Sequence, residues 1–457
     1  MDDQRRLVAS LKRPFVETHI SYVLFDAGVA YKIKKAVRFA FLDFTTLAAR
    51  EFFCREELRL NRRLAPAIYL DVIPITGTID APVLAGQGPP IEYAVKMREF
   101  DQDGLLSRVL ARDELTVERV EGLAAVVADF HSRTARAGAE TPYGRPEGIL
   151  EDARANFAGM EADEHVAALR DFTEREAARC REAFAARKAQ GLVRECHGDL
   201  HLGNIALVDG AVTLFDCIEF NESMRWIDVM SDVAFLVMDL LDHHRPDLSA
   251  RFLNGYLERT GDYGGLDVLR FYVVYRAMVR AKIARMRGDD AERRSYLDLA
   301  VRETQPRRPS VVITHGVSGS GKSTRAQSLV ERGAIAIRSD VERRRLFGPG
   351  EYTDAATRKT YERLAARARM IVSAGYPVVV DATFLRREQR DLLRAAADDL
   401  HVPFVIADCS APLPVLQERV ARRLARGDDV SEATEDVLTQ QLATQEPLGP
   451  DELAASI

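Results

Sequence analysis

The sequence predicts a two-lobed α+β unit followed by a doubly wound α/β unit, and three observations carry that prediction. Short runs alternating apolar and polar residues (SYVLF, AYKIK, EYAVKM) fill roughly the first hundred residues around one helical stretch, Leu47 to Leu64. From Val117 to Ala300 apolar residues recur at helical spacing, interrupted by HGDLHLGN and VTLFD, which read as a loop and a short strand. Beyond ETQPRRPS, Glu303 to Ser310, the strand-like runs VVIT, AIAI, PVVVD and PFVIAD alternate with helical stretches, the pattern of a parallel sheet covered by helices.

The prolines and arginines of ETQPRRPS mark the boundary, because proline ends helices and removes a backbone donor. The expected division is 1–303, with a small lobe over about 1–100 and a helical lobe over about 101–303, then a linker 304–310 and a second domain 311–457. At 457 residues, 47% hydrophobic and 29% charged, the chain is long enough for at least two buried cores. A net charge of −6 and a pI near 6.0 provide no global positive field, which disfavours nucleic acid without excluding a local basic groove.

The five cysteines include no CxxC pair, so neither a disulfide framework nor a structural zinc site is expected. Among nine histidines the close pairs His197/His201 and His243/His244 lack a clear third ligand. The opening MDDQRRLVAS lacks a signal-peptide pattern and the apolar runs are short, so the expectation is a cytoplasmic protein without membrane contact. Oligomeric state is not legible.

In the first domain, His197-Gly198-Asp199-Leu200-His201-Leu202-Gly203-Asn204 places a carboxylate five residues before an amide, and Asp216 follows the run VTLF. Phosphoryl transfer calls for those groups. One carboxylate orients the acceptor hydroxyl and takes its proton, while an amide oxygen and a second carboxylate hold magnesium against the phosphates. Lys32 and Lys34 share one face of the run VAYKIK, and Glu56 and Glu57 lie in the following helix, so either of each pair is open to a phosphate-gripping ion pair.

HGD, four residues, Asn, then Asp resembles the catalytic segment of aminoglycoside phosphotransferases and choline kinases, relatives of protein kinases. The resemblance covers about Ser10 to Met286 and implies a bilobal protein-kinase-like domain. It makes Asp199 the catalytic base, Asn204 and Asp216 the magnesium ligands, and Lys32 with Glu57 the pair at the α- and β-phosphates of ATP. Only Gly28 precedes the strand, without the GxGxxG loop of protein kinases, a departure that aminoglycoside-type kinases share. EYAVKMREF, Glu92 to Phe100, resembles the hinge that receives adenine. Asp228 and Asp232 resemble downstream aspartates that brace the catalytic loop, a structural role.

In the second domain, Gly316-Val317-Ser318-Gly319-Ser320-Gly321-Lys322-Ser323-Thr324 fits GxxxxGK[ST] between the strand VVIT and a helix beginning near Ser323. Glycines free backbone N–H groups to surround a phosphate, Lys322 neutralises β- and γ-oxygens, and Ser323 ligates magnesium. Asp381, ending PVVVD, suits a second magnesium carboxylate. Ala382-Thr383 follows it without a second acid to activate water, which favours transfer to a bound acceptor over hydrolysis.

Arg338-Ser339-Asp340 ends the second strand at the carboxyl edge where such sheets bind ligands, making Asp340 a candidate base. Arg343 is open to either an anion-binding role or a solvated helix face. Arg422 and Arg426, one turn apart on the helix Pro414 to Arg426 and followed by GDDVSEA, are candidates to close on the transferring phosphoryl. These features resemble the small P-loop kinases that include gluconate kinase, chloramphenicol phosphotransferase, polynucleotide kinase and zeta-type toxins, over about Val311 to Leu448.

The fusion resembles the bifunctional aminoglycoside phosphotransferase/ATP-binding proteins. What it implies is two ATP- and Mg2+-dependent kinase domains acting on hydroxyl groups of small-molecule acceptors. Two alternatives stay open: one domain is a nucleotide-binding regulatory module, or the second is a polynucleotide or nucleotide-sugar kinase.

Overall fold

A computed structural model of the protein describes residues 3–39, 42–161, 163–426 and 433–456, without the side chain of Arg426. It divides into two compact units, Met1–Ala158 with Ala177–Asp239, and Gly159–Glu176 with Leu240–Ile457.

The first unit is built on a six-stranded antiparallel sheet of order β1-β2-β3-β8-β6-β7, formed by β1 (Phe15–Glu17), β2 (Ser21–Asp26), β3 (Val29–Lys34), β6 (Tyr69–Thr78), β7 (Ala81–Leu84) and β8 (Glu92–Arg98). A small hairpin, β4 (Arg38–Phe39) with β5 (Leu42–Asp43), stands apart from it. Period-two alternation gives the sheet two apolar faces. On one, Leu7 and Val8 of helix α1 (Asp3–Ser10) pack on Tyr22, Leu24, Ile33 and Ile75. On the other, Cys54 of helix α2 (Leu47–Asn61) joins Tyr69, Val95, Ala206 and Val208. Thr46 caps α2 by accepting from the Ala49 N–H, so the helix starts where its sequence has a side-chain acceptor.

The rest of this unit carries helices α3 (Leu106–Ala111), α4 (Val117–Arg133) and α5 (Pro146–Ala155), the pair β9 (Val193–Glu195) and β12 (Trp226–Asp228), and the hairpin β10 (Ile205–Val208) and β11 (Ala211–Leu214). Helices α6 (Glu164–Ala189) and α7 (Val229–Asp242) each contribute to both units.

The second unit holds helices α8 (Pro246–Thr260), α9 (Leu266–Arg287) and α10 (Asp290–Glu303), then a parallel four-stranded sheet of order β14-β15-β13-β16. Its strands are β13 (Val311–His315), β14 (Ile335–Arg338), β15 (Val378–Asp381) and β16 (Phe404–Asp408), and all of β13 and β15 is buried, as expected when helices cover both faces. Those helices are α11 (Lys322–Val330), α12 (Ser339–Phe347), α13 (Asp354–Ser373) and α14 (Arg387–Asp399), followed by α15 (Leu413–Arg426), α16 (Glu435–Thr444) and α17 (Pro450–Leu453).

β14 is an edge strand, and α8 closes that edge: Asn254 Nδ2 donates to Ala334 O at 3.2 Å, and the Ala336 N–H donates to Asn254 Oδ1 at 2.7 Å. The stretch 304–310 lies inside this unit and is tied down, with Arg307 4.1 Å from the Tyr376 ring and 2.8 Å from Glu303. Among the described residues no helix is long and apolar enough to cross a membrane.

Candidate active sites in two kinase-like domains

In the first unit, alternation along β3 sends Lys32 and Lys34 to the same side, where both reach Glu57 of α2. Lys32 Nζ lies 2.9 Å from Glu57 Oε1 and 2.7 Å from Asp216 Oδ1. Lys34 Nζ lies 2.6 Å from Glu57 Oε2 and also pairs with Glu219. The two lysines therefore divide the work. Lys34 is wholly buried, while Lys32 keeps 15% of its side chain exposed and holds the candidate metal ligand. Glu56 turns away to Arg59 and Arg225, so the carboxylate between the lysines is Glu57.

Burial opposes charge throughout this cluster, and the pairing decides the outcome. Burial alone would raise Glu57, but Lys32 and Lys34 bring it down to about 2. Burial would lower Lys32, yet Asp216 and Glu57 hold it well above the ordinary lysine range. Glu219 is shifted the other way, pushed up by burial that Lys34 only partly offsets.

Asn204 Nδ2 donates to Asp199 O and to Asp199 Oδ2, each at 2.9 Å. Its amide donor is thereby spent on the candidate base, and Oδ1 is left as the group able to meet a cation. His201 Nδ1 accepts from the Gly203 N–H at 3.1 Å, which places the ring proton on Nε2, 3.4 Å from Asp199 Oδ2. Asp216 sits just beyond β11 with a left-handed φ of 63°, and its N–H donates to Tyr69 Oη at 3.2 Å.

Asp232 receives the His197 and Gly198 N–H groups at 3.0 and 2.9 Å and lies 3.1 Å from His131 Nε2, while Asp228 takes Arg187 in a two-point pair at 2.7 and 2.8 Å. His131, Cys196 and Asp232 bring their ligand atoms within 4.8 Å of one another, but Asp232 already spends its oxygens on the loop. Asp239 is a brace that sequence reasoning missed, accepting from the Leu202 N–H at 2.7 Å. Its signal was present: seven residues after Asp232, it lies on the same face of α7. Of the expected hinge stretch, Glu92–Arg98 is β8, paired with both β3 and β6, and Glu99 and Phe100 follow it.

In the second unit, the phosphate-type loop joins β13 to α11, which begins at Lys322. Gly316 has φ 131°, and a Cβ there would lie 2.2 Å from Cys409 O; Gly319 has φ 82°, with Leu416 O at 2.9 Å from such a Cβ. Gly321, φ 98°, is the residue before α11. Lys322 Nζ donates to Val317 O at 2.7 Å, and burial brings its pKa down to about 8. Ser323 Oγ donates to Asp381 Oδ2 at 2.8 Å, an all-oxygen pair of the kind hard cations take. Ser320 is buried with its hydroxyl lacking a partner among the described residues, and Thr324 is exposed in the first turn of α11.

Arg338 ends β14, its Nε 3.9 Å from Asp381 Oδ2, while Ser339 and Asp340 are already the first turn of α12. Arg343 is buried rather than solvated, donating to Thr357 Oγ1 at 3.2 Å and lying 4.9 Å from the Tyr352 ring. The arginine helix turns its candidates in different directions. Arg422 faces outward, 63% exposed and paired with Glu418, because the apolar residues Leu416 and Val420 turn the opposite face inward. Arg419 is the residue that reaches the loop, donating to Gly319 O at 3.1 Å. The Arg426 side chain, and GDDVSEA up to its last residue, lie outside the described residues.

A family model described as Phosphotransferase enzyme family matches residues 54–272, and one described as AAA domain matches residues 311–448. The chain is 32% identical over 463 residues to Uncharacterized protein Rv2004c of Mycobacterium tuberculosis (strain ATCC 25618 / H37Rv), covering 94% of this chain and 90% of that protein. It belongs to that protein's family. Adenylyl-sulfate kinase of Aeromonas salmonicida (strain A449) is 32% identical over 125 residues, 26% of this chain and 62% of its own length. Among solved structures, the Mycobacterium tuberculosis APS kinase CysC covers 32% of this chain and 87% of its own at 27% identity and a TM-score of 0.27. Wild-type aminoglycoside 2'-phosphotransferase-IIIa covers 64% and 91% at 13% identity and a TM-score of 0.38. The expected pairing of a protein-kinase-like domain with a P-loop kinase domain is thus met, and the chain is a kinase: two kinase-like domains for ATP-dependent phosphoryl transfer.

Proposed function

We propose that both domains are active, each passing the γ-phosphoryl of ATP to a hydroxyl of a small-molecule acceptor, with the functional division at 303/311. Magnesium-bound ATP, when seated, supplies the transferable group and the cation that offsets its charge. The residues fit it. In the first domain Lys32, oriented by Glu57, grips phosphate oxygens, Asn204 Oδ1 and Asp216 hold the cation, and Asp199 accepts the acceptor's proton while Asn204 and His201 keep its carboxylate in place. In the second, Lys322 and the loop amides not already bonded, those of Gly319 and of Gly321 to Thr324, hold phosphates, Ser323 and Asp381 hold the cation, and Asp340 is the base.

What carries this reading is the convergence of Lys32, Glu57 and Asp216, residues far apart in sequence, at 2.7 and 2.9 Å beside a braced Asp199–Asn204 pair. A bare polar loop would not collect them. Arg343, one turn after Asp340 and buried with its Nε unpartnered among the described residues, supports an anionic group on the second domain's acceptor. Five free cysteines, four of them buried, fit a reducing cytoplasmic setting.

The test is acceptor-stimulated ADP release by the full chain and by Asp199→Ala and Lys322→Ala, over sugars, nucleosides and aminoglycosides. Each variant is expected to abolish a distinct subset of stimulated reactions. Nucleotide binding without stimulation by any acceptor would withdraw the transferase assignment.

A further inference from the structure

The loop of the second domain has a contact from outside the motif. The Ser318 N–H donates to Gln441 Oε1 of α16 at 2.8 Å. That bond fixes the side chain's orientation, because an N–H can face only the oxygen of the amide. The Nε2 donors are therefore not engaged with Ser318, and they meet no partner among the described residues. Gln441 is also held from behind. Leu438, one turn earlier on α16, is buried with Val317 of the loop itself and with Leu385, Leu416 and Val420.

The position along the loop identifies what the free donors face. Lys322 Nζ rests on Val317 O at 2.7 Å, and the lysine of such a loop serves the β- and γ-phosphates. Ser318 follows Val317 directly, so Gln441 stands beside the stretch of loop that Lys322 touches. Arg419, on Gly319 O at 3.1 Å, anchors the neighbouring peptide.

We infer that Gln441 is a γ-phosphate-contacting residue of the second domain: its oxygen locks the Ser318 peptide and its Nε2 donates to the terminal phosphoryl, distinguishing ATP from ADP. This rests on the reading that the second domain binds ATP.

The test uses the full chain carrying Asp216→Asn, which removes the first domain's proposed metal ligand, with Mg2+ and calorimetric titration of ADP and a non-hydrolysable ATP analogue. Gln441→Glu keeps an oxygen for Ser318 and replaces the donor by an acceptor; Gln441→Ala removes both. A hydrogen bond to a charged group contributes about 1.5–3 kcal/mol, so the ATP-analogue to ADP affinity ratio should fall by about tenfold or more in both variants, with ADP binding changed less than about threefold. Equal weakening of both nucleotides, or an unchanged ratio, overturns the inference while leaving ATP binding by the domain intact. Absence of any binding that Lys322→Ala removes from the parent would overturn both.

Discussion

Lys34→Met isolates the buried charge chain beneath the first site. Lys34 is wholly buried between Glu57 and Glu219, so its removal leaves Glu57 paired with Lys32 but strands Glu219, only 5% exposed, without its cation. Breaking a buried pair by deleting one partner costs about 3–5 kcal/mol, which for a unit of this size lowers the urea midpoint by roughly 1–2 M. Glu219 can escape by taking up a proton, and burial has already raised its pKa. A carboxyl whose folded pKa exceeds its unfolded value binds more protons when folded, so stability falls as pH rises between the two values, by about 1.4 kcal/mol per unit. The deficit of Lys34→Met is therefore smallest near the ordinary carboxylate pKa and widens as pH rises above it. Adding Glu219→Gln should recover much of it and flatten the pH dependence. The chain's single tryptophan, Trp226, belongs to the same unit and stacks 5.8 Å from Tyr143, so its fluorescence reports this transition. A deficit independent of pH, or one that Glu219→Gln enlarges, would refute the reasoning.

Other outcomes follow from the two sites. Asp199→Asn should lower kcat about 10²–10⁴-fold for acceptors of the first domain while ATP binding there persists, checked by turnover alongside titration. Gly316→Ala places a Cβ 2.2 Å from the Cys409 carbonyl at φ 131° and should abolish nucleotide binding that depends on Lys322 while sparing Asp199-dependent turnover. Lys322, brought to about 8 by burial, is charged below that pH with or without nucleotide; above it the free protein loses the proton, so binding must take one up and weaken by up to about tenfold per pH unit. Calorimetry at pH 9 in buffers of different ionisation enthalpy should register that uptake.

Much of the architecture was legible because local pattern and fold agree: alternation in β3 and β8, the glycine loop between β13 and α11, and the Asp199/Asn204/Asp216 order each have one simple spatial reading. The undecided choices were between neighbours on one face. Lys32 and Lys34 are indistinguishable by alternation, and only the depth of Lys34 against Glu219 separates them. On the arginine helix, spacing pointed to Arg422 and Arg426, and it carries no sign that Arg419, three positions before Arg422, meets the Gly319 carbonyl. Asn254 pairing with the edge of β14 left no readable signal, since a polar residue on an amphipathic helix ordinarily faces water.

On the proposed function the two sites hold the same polyanion, and they are prepared for it in opposite ways. The first is charged in advance: Asp216, Lys32, Glu57, Lys34 and Glu219 form a continuous chain of pairs in that order, in which Lys32 already occupies Asp216. Phosphate must compete for Lys32, and a cation must compete for Asp216, so the incoming pair can exchange partners without leaving a charge bare. The second is underpaired: Lys322 rests on a carbonyl oxygen and its nearest acids only partly offset its burial. Phosphate there meets backbone donors and a lysine that gains, rather than exchanges, its counter-charge. Nucleotide binding at the first site should consequently follow magnesium closely, whereas at the second it should remain measurable without the metal and follow the protonation of Lys322.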